Sequence, residues 1–433
     1  MRKNKIDIIS LGCSKNLVDS EHLIRQFQAN GYSVEHNPSR VDGEIVVVNT
    51  CGFIRDAQEE SIDMILELGR AKKEGKIKEL FVMGCLAERF MAQLIDELPE
   101  VDKFYGKFNW KEMLNDLGKS YKEDLSSERY LTTPKHYAYL KISEGCNRFC
   151  AFCAIPLITG RHKSVPMDTL LNEVKYLVSQ GVKEFNVIAQ DLSSYGLDLY
   201  GKMMLPELID QMAQIEGVEW IRLHYAYPTQ FPYDILPVMA KHDNVCKYLD
   251  IALQHSSDKV LNNMQRHITK AETIELIKRI RKEVPGIHIR TTLMVGFPGE
   301  GEEEFNDLVD FVEEMRFERM GAFAYSEEEG TFAAKHFDDI IPEDVNAEPL
   351  DKIMETQEEI SDEIQSKKVG NVYKVIIDSV DEMYYSGRTE WDSPEVDPEV
   401  LIPVENSKLE IGNFYQVEIT DATPFELFGK VVG

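Results

Sequence analysis

The sequence predicts an α/β protein in three parts: an N-terminal parallel-sheet α/β domain, a partial TIM-like barrel of six strand–helix units, and a C-terminal OB-like β-barrel. Three observations carry this. Val- and Ile-rich runs alternate with amphipathic helical stretches through about residue 319, the pattern of parallel strands crossed by helices. The alternation breaks over residues 121–136, a polar stretch without period. From about Gly370, five short strand-like runs with turns fill the last 65 or so residues, which suits a small barrel. The expected division is therefore 1–120, a linker over 121–136, 137–365 and 366–433.

In the first part, a strand over 6–11 ends at Gly12-Cys13. A helix is expected from about Ser20, with Leu23, Ile24 and Phe27 at helical spacing and Gly31 as its stop. A strand over 45–48 ends at Asn49-Thr50-Cys51, and the helix after it carries Ile62, Ile65, Leu66 and Leu68. A strand over 80–83 ends at Gly84-Cys85, before a helix with Phe90, Leu94 and Leu98. All three cysteines fall just past the carboxyl end of a strand. Strand–loop–helix units meet ligands on that edge, and helix N-termini beside it favour anionic thiolates.

In the second part, strands are expected over 137–142, 183–189, 220–224, 248–253, 287–295 and 320–325. A helix over 167–180 sets Leu170, Leu171, Val174, Leu177 and Val178 on one face, with Gly181 as its stop. The chemistry of such a barrel belongs at its carboxyl rim. After the first strand comes Cys146-Asn147-Arg148-Phe149-Cys150-Ala151-Phe152-Cys153, three thiols within eight residues. Other rim stretches are Gln190-Asp191, Tyr225-Ala226-Tyr227-Pro228, Gln254-His255-Ser256 and Gly296-Phe297-Pro298-Gly299-Glu300. Cys246 precedes a strand at the far end and reads as packing. An acidic helix over 343–367 leads to strands over 372–377, 384–389, 399–404, 415–419 and 427–432.

Thiolate-rich sites select zinc or iron–sulfur chemistry. A structural zinc site wants four protein ligands, whereas the loop offers three thiols and no His at a suitable spacing. On a four-iron cluster, three thiolates leave one iron for an outside ligand. Seven cysteines form an odd set, against a disulfide framework. With 43% apolar residues, no apolar run near 18 residues and no leader pattern, a soluble cytoplasmic protein away from membranes is expected. The net charge of −28 opposes counterion release on RNA and suits a basic protein partner.

Cys146, Cys150 and Cys153 match the CxxxCxxC signature loop of the radical S-adenosylmethionine (SAM) enzymes without a mismatch. With three strand-end cysteines before it and a small barrel after it, the whole chain resembles the methylthiotransferases. That resemblance implies two 4Fe–4S clusters. Cys146, Cys150 and Cys153 hold the one whose open iron binds SAM; Cys13, Cys51 and Cys85 hold the other. It implies that Phe152 packs against the adenine and that the C-terminal barrel is a TRAM domain. Gln190 and Gly296, on the rim, are further candidates for cofactor binding. No catalytic residue beyond the cluster ligands is expected. A deoxyadenosyl radical from SAM removes hydrogen from an unactivated carbon, the second cluster supplies sulfur, and a second SAM supplies the methyl group.

The opening Leu11-Gly12-Cys13-Ser14-Lys15-Asn16-Leu17-Val18-Asp19-Ser20-Glu21 is similar to the branch that modifies an aspartate β-carbon of small-subunit ribosomal protein twelve. The tRNA-adenosine branch usually carries Gln-Met-Asn after its first cysteine. Gly387-Arg388 and Asp392-Ser393-Pro394-Glu395-Val396-Asp397 also resemble the protein-modifying branch. One departure is Val165, where relatives often place a basic residue. From Ser366 onward there are 6 Lys and Arg against 13 Asp and Glu, the wrong balance for gripping tRNA phosphates. The expected partners are ribosomal protein twelve, met through the acidic TRAM domain, and an electron donor such as a flavodoxin. A tRNA adenosine methylthiotransferase and a non-enzymatic iron–sulfur module are the competing readings.

Overall fold

The computed structural model describes residues 2–338, 343–406 and 408–432. In the N-terminal unit, β1 (Arg2–Ser10), β2 (Ser33–His36), β3 (Gly43–Thr50), β4 (Glu79–Gly84) and β5 (Lys103–Phe104) form one parallel sheet in the order β2-β1-β3-β4-β5. Successive residues of β3 face opposite sides, and both sides are apolar. Val46 and Val48 pack on Ile65 and Leu68 of α2 (Arg55–Lys73) and Leu94 of α3 (Cys85–Glu97). Ile45 and Val47 pack on Leu23 and Phe27 of α1 (Ser14–Ala29) and Met113 of α4 (Trp110–Asp116). Burial on both faces explains the continuous apolar strands.

Several expectations need correction here. Helix α1 starts at Ser14, immediately after Cys13, rather than near Ser20. Its first two turns bury Lys15, Asn16, Asp19, Ser20 and Glu21, so no apolar period announces them. Leu66 of α2 is 44% exposed and is no part of the core. The edge strands β2 and β5 and helix α4 are additions to the expected set.

The second unit opens with β6 (Tyr137–Lys141), the small hairpin β7 (Ser143–Glu144) and β8 (Lys163–Ser164), and between them α5 (Ile155–Ile158). It continues through α6 (Met167–Ser179), β9 (Glu184–Ile188), α7 (Leu197–Tyr200), α8 (Leu205–Ala213), β10 (Trp220–Ala226), α9 (Ile235–Lys241) and β11 (Val245–Ile251). Then come α10 (Asp258–Asn263), α11 (Lys270–Glu283), β12 (His288–Val295), α12 (Glu302–Met315), β13 (Arg319–Ala324), α13 (Phe332–His336) and α14 (Glu343–Ser366). The sheet runs β13-β12-β11-β10-β9-β6 with every neighbouring pair parallel, and its two edge strands are not paired to each other. This is an open, six-stranded barrel. Leu170, Val174 and Leu177 of α6 bury against it, as do Leu276 and Ile280 of α11 and Phe311 of α12. Cys246 lies within β11 rather than before it, still at the amino end, packed against Trp220, Tyr248 and Ile376.

The third unit is a closed barrel of β14 (Val372–Val380), β15 (Tyr384–Arg388), β16 (Glu399–Pro403), β17 (Phe414–Ala422) and β18 (Glu426–Val431), ordered β14-β15-β16-β18-β17. Val375, Ile377, Val400, Ile402, Val417 and Ile419 fill it.

Ion pairs fix the three units in a stack. Glu184, the first residue of β9, accepts from Arg388 at 2.7 Å and Arg222 at 3.1 Å. Arg319, the first residue of β13, meets Asp392 at 2.6 Å, and Arg290 meets Asp397 at 2.5 Å. The small barrel therefore caps the amino ends of the strands. At the carboxyl ends, Lys107 of the N-terminal unit pairs with Glu144 at 3.2 Å, and Arg89 pairs with Glu328 at 2.8 Å. The segment 121–136 is packed down between the units: Arg129 is buried, 3.3 Å from Glu173 and 3.5 Å from Glu21, and donates to the Tyr139 carbonyl.

Candidate active site

At the carboxyl end of β6 the chain passes through Glu144-Gly145 into the three-cysteine loop. Phe149, at φ 52°, takes the left-handed turn that lets so short a segment fold back between Cys146 and Cys150. The Ala151 N–H donates to Met264 O and the Ala333 N–H to Ala151 O, so the loop is strapped to the rim on both sides. Cys146 is buried, while Cys150 and Cys153 are half-buried.

Burial pushes the Cys146 thiol up to about 12 and the Cys153 thiol higher still. Left alone, these would be neutral thiols. The surroundings, however, are those of anionic sulfur. The Arg148 N–H points at Cys146 Sγ from 3.4 Å, and Arg266 Nη1 lies 3.2 Å from Cys150 Sγ. Arg148 and Arg266 both lie over the Tyr227 ring, 4.3 and 4.1 Å from its centre, and the Tyr227 hydroxyl is 3.4 Å from Cys150 Sγ. Asp191 holds the Arg148 guanidinium at 2.7 Å. A ligand set of three thiols among fixed cationic donors fits an iron–sulfur cluster and stabilises its thiolates.

The N-terminal cysteines come together through their glycines. A Cβ on Gly12, at φ +83°, would lie 2.8 Å from Cys51 Sγ; one on Gly52 would lie 2.7 Å from the Leu86 nitrogen, beside Cys85. The absence of side chains at 12 and 52 is what allows the three strand-end loops to touch. Cys13 is the N-cap of α1 and Cys85 the first residue of α3. Cys51 N–H is held by Ser61 Oγ at 3.1 Å. Burial raises the Cys51 thiol and pushes Cys85 up to about 12, while Lys107, buried, sits 3.9 Å from Cys85 Sγ. The same donor logic applies: three thiols, two helix starts and one enclosed ammonium fit a second cluster.

The two triads adjoin. Cys85 packs on Ala154 and Ile158, directly after Cys153. Lys107 reaches from Cys85 to Glu144, and Lys141 ties Glu144 (2.8 Å) to Asp19. Of the remaining rim candidates, Phe152 stands edge-on to Phe297, ring centres 6.2 Å apart. Gln190 donates to Glu144. Gly296 is buried and has its N–H taken by Glu300 at 3.0 Å, so that donor is not free for a ligand. Arg266 and Lys107 went unseen in the sequence because neither belongs to a motif, whereas Tyr227 stood on a rim stretch and Arg148 was in plain view inside the loop.

An open six-stranded α/β barrel with this loop on its carboxyl rim defines a radical-SAM enzyme. The comparisons agree: residues 140–312 match the Radical SAM superfamily, residues 5–106 the family described as Uncharacterized protein family UPF0004, and residues 369–432 the TRAM domain. The fold is shared with the radical SAM methyltransferase TsrM from Kitasatospora setae, at TM-score 0.59 and 13% identity over 77% of each chain. Ribosomal protein uS12 methylthiotransferase RimO of Parabacteroides distasonis is 63% identical over 432 residues, the whole of both chains. The RimO of Porphyromonas gingivalis is 60% identical over 433 residues, again covering both chains fully. The chain belongs to this family, the RimO methylthiotransferases. It is a radical-SAM methylthiotransferase that works with an iron–sulfur cluster and SAM. Among the described residues, no helix is long and apolar enough to cross a membrane.

Proposed function

We propose that the protein methylthiolates the β-carbon of an aspartate in ribosomal protein uS12, with Cys146, Cys150 and Cys153 holding one 4Fe–4S cluster and Cys13, Cys51 and Cys85 a second. The observation that carries this is the packing of Cys85 against the residues that follow Cys153, which sets two three-thiol centres on facing units. When bound, the groups supply one-electron cleavage of SAM, hydrogen removal from an unactivated C–H bond, and sulfur for the resulting carbon.

The chain's own side chains bind and orient. Arg266 and the Arg148 N–H steady the sulfurs of the first triad, and Asp191 with Tyr227 keeps Arg148 in place. Lys107 neutralises the second triad from inside the protein. Phe152, Gln190 and Gly296 are assigned to SAM on their rim positions. The N-terminal unit lies over the carboxyl rim through the Lys107–Glu144 and Arg89–Glu328 pairs, with Cys13 left exposed. Domains over 1–120, 137–365 and 366–433, with 121–136 between them, are part of this reading.

For the partner, the small barrel still offers exposed Asp381, Glu382, Glu399, Glu410, Asp421 and Glu426 to a basic protein, although Asp378, Asp392 and Asp397 are turned inward onto cations. A flavodoxin-like donor supplies electrons, and the work is done in the cytoplasm, where uS12 is made.

The test uses anaerobically reconstituted protein. Cys146→Ala is expected to abolish 5′-deoxyadenosine formation from SAM. Cys51→Ala is expected to keep it, yet lose roughly half the iron and all methylthio transfer. Deoxyadenosine made undiminished by Cys146→Ala would refute the first assignment, and full iron in Cys51→Ala the second. A methylthio mass shift found on tRNA and not on uS12 would overturn the substrate.

A further inference from the structure

Nearly every enclosed lysine in this acidic chain has its carboxylate. Lys5 has Asp7 and Glu35, at 3.1 and 2.6 Å, and Lys107 and Lys141 share Asp19 and Glu144. Lys15 is different. It is 8% exposed, and among the described residues its ammonium makes no hydrogen bond or ion pair. Its one contact is the face of Tyr225, with Nζ 3.4 Å from the ring centre. Asp250, a carboxyl group that feels its charge, is engaged with the Tyr225 N–H and faces His224 at 4.0 Å.

The position is informative. Lys15 follows Cys13 by two residues in the first turn of α1. Tyr225, the last residue but one of β10, lies on the barrel rim at φ 64° and 38% exposed, and precedes by two the Tyr227 whose hydroxyl touches Cys150. A left-handed backbone at a bulky aromatic is strained, and the strain turns the ring outward under the ammonium. A cation thus stands where the neighbourhoods of the two triads meet, backed by a π face and short of an anion. The Lys15 ammonium keeps only a narrow opening to solvent and has no counter-charge among the described residues, and the cation–π contact contributes only about 0.5–2 kcal/mol. The missing partner is an anion that arrives with the substrate.

We propose that Lys15, seated on Tyr225, is the carboxylate-binding and specificity-determining residue for the target side chain. The assignment rests on the aspartate reading above. The aspartate β-carbon is bonded directly to its carboxylate carbon, so gripping the carboxylate fixes the reacting C–H one bond away. The charge also selects an acidic side chain over a neutral amide or a base.

The carboxylate of SAM is the other source of this chemistry, and the experiment separates the two. Binding of uS12, and of uS12 with the modified aspartate (located by mass spectrometry) changed to asparagine, is measured against reconstituted wild type, Lys15→Gln and Lys15→Arg. SAM affinity and iron per chain are read alongside. Wild type is expected to favour the aspartate form by roughly tenfold to a hundredfold, the size of a charge-assisted contact. Lys15→Gln should bind both forms alike with its iron and SAM affinity intact, and Lys15→Arg should restore part of the preference. Equal binding of both forms by wild type, a preference unchanged in Lys15→Gln, or weakened SAM binding in its place overturns the assignment. Should wild type transfer no methylthio group to uS12, the function itself fails, an outcome separate from these.

Discussion

Gly52 has more effect on the geometry of the N-terminal cysteines than its size suggests. It lets the backbone after Cys51 lie directly against Cys85-Leu86, and an added Cβ would sit 2.7 Å from the Leu86 nitrogen and Cα. Backbone cannot swing away as a flexible side chain would. Gly52→Ala is expected to force the Cys51 and Cys85 loops apart, costing about 1–3 kcal/mol. Iron analysis should then show loss of the amino-terminal share, with that of the three-cysteine loop retained. At this scale the cysteines were legible in the sequence for two reasons: Cys13, Cys51 and Cys85 fall at the same phase of successive strand–loop–helix units, and Cys146, Cys150 and Cys153 lie within one eight-residue loop. Lys107 and Arg266 were not, because nothing local ties an isolated basic residue to a sulfur far away in the chain.

The turn after α14 buries Lys368. Among the described residues its ammonium has no hydrogen-bond partner, and burial lowers it to about 7, helped by Arg319 on β13 against the opposing pull of Asp392, Glu318 and Asp397. It lies over Trp391, 5.1 Å from the ring centre, which stacks on His288 of β12. Below about pH 7 both folded and unfolded chains carry the proton; between about 7 and the ordinary lysine value of 10.5 the unfolded chain binds more. Stability is therefore expected to rise with pH across that window. Lys368→Met should be more stable at pH 7, by about 1–3 kcal/mol, and should lose that slope in urea titrations at pH 7 and 9. Element by element, apolar period located the barrel strands and α6 closely. It failed where polar residues do the packing. The first turns of α1 bury Asn16, Asp19 and Glu21 in the contact between units, and residues 121–136 hide Arg129, so both stretches imitate solvent-exposed chain. Short edge strands such as β2 and β5 carry too few residues to show a period at all.

Across the whole molecule, Glu184 receives two arginines, Arg222 from its own sheet and Arg388 from the terminal barrel, and all three are fully enclosed. Removing one partner leaves charge stranded in the interior, typically at a cost of 3–5 kcal/mol, or about that here. Arg388→Met is accordingly expected to loosen the terminal barrel. Limited proteolysis should then cut near residues 366–371 faster than in the parent, with the three-cysteine loop's iron retained. The same enclosure bears on hybrids between relatives. A C-terminal domain transplanted from a cousin with different tastes would arrive without the acids and arginine that match Glu184, Arg222, Arg290 and Arg319. Such a swap has to carry the strand-start residues of the host along with it, or the graft will not seat.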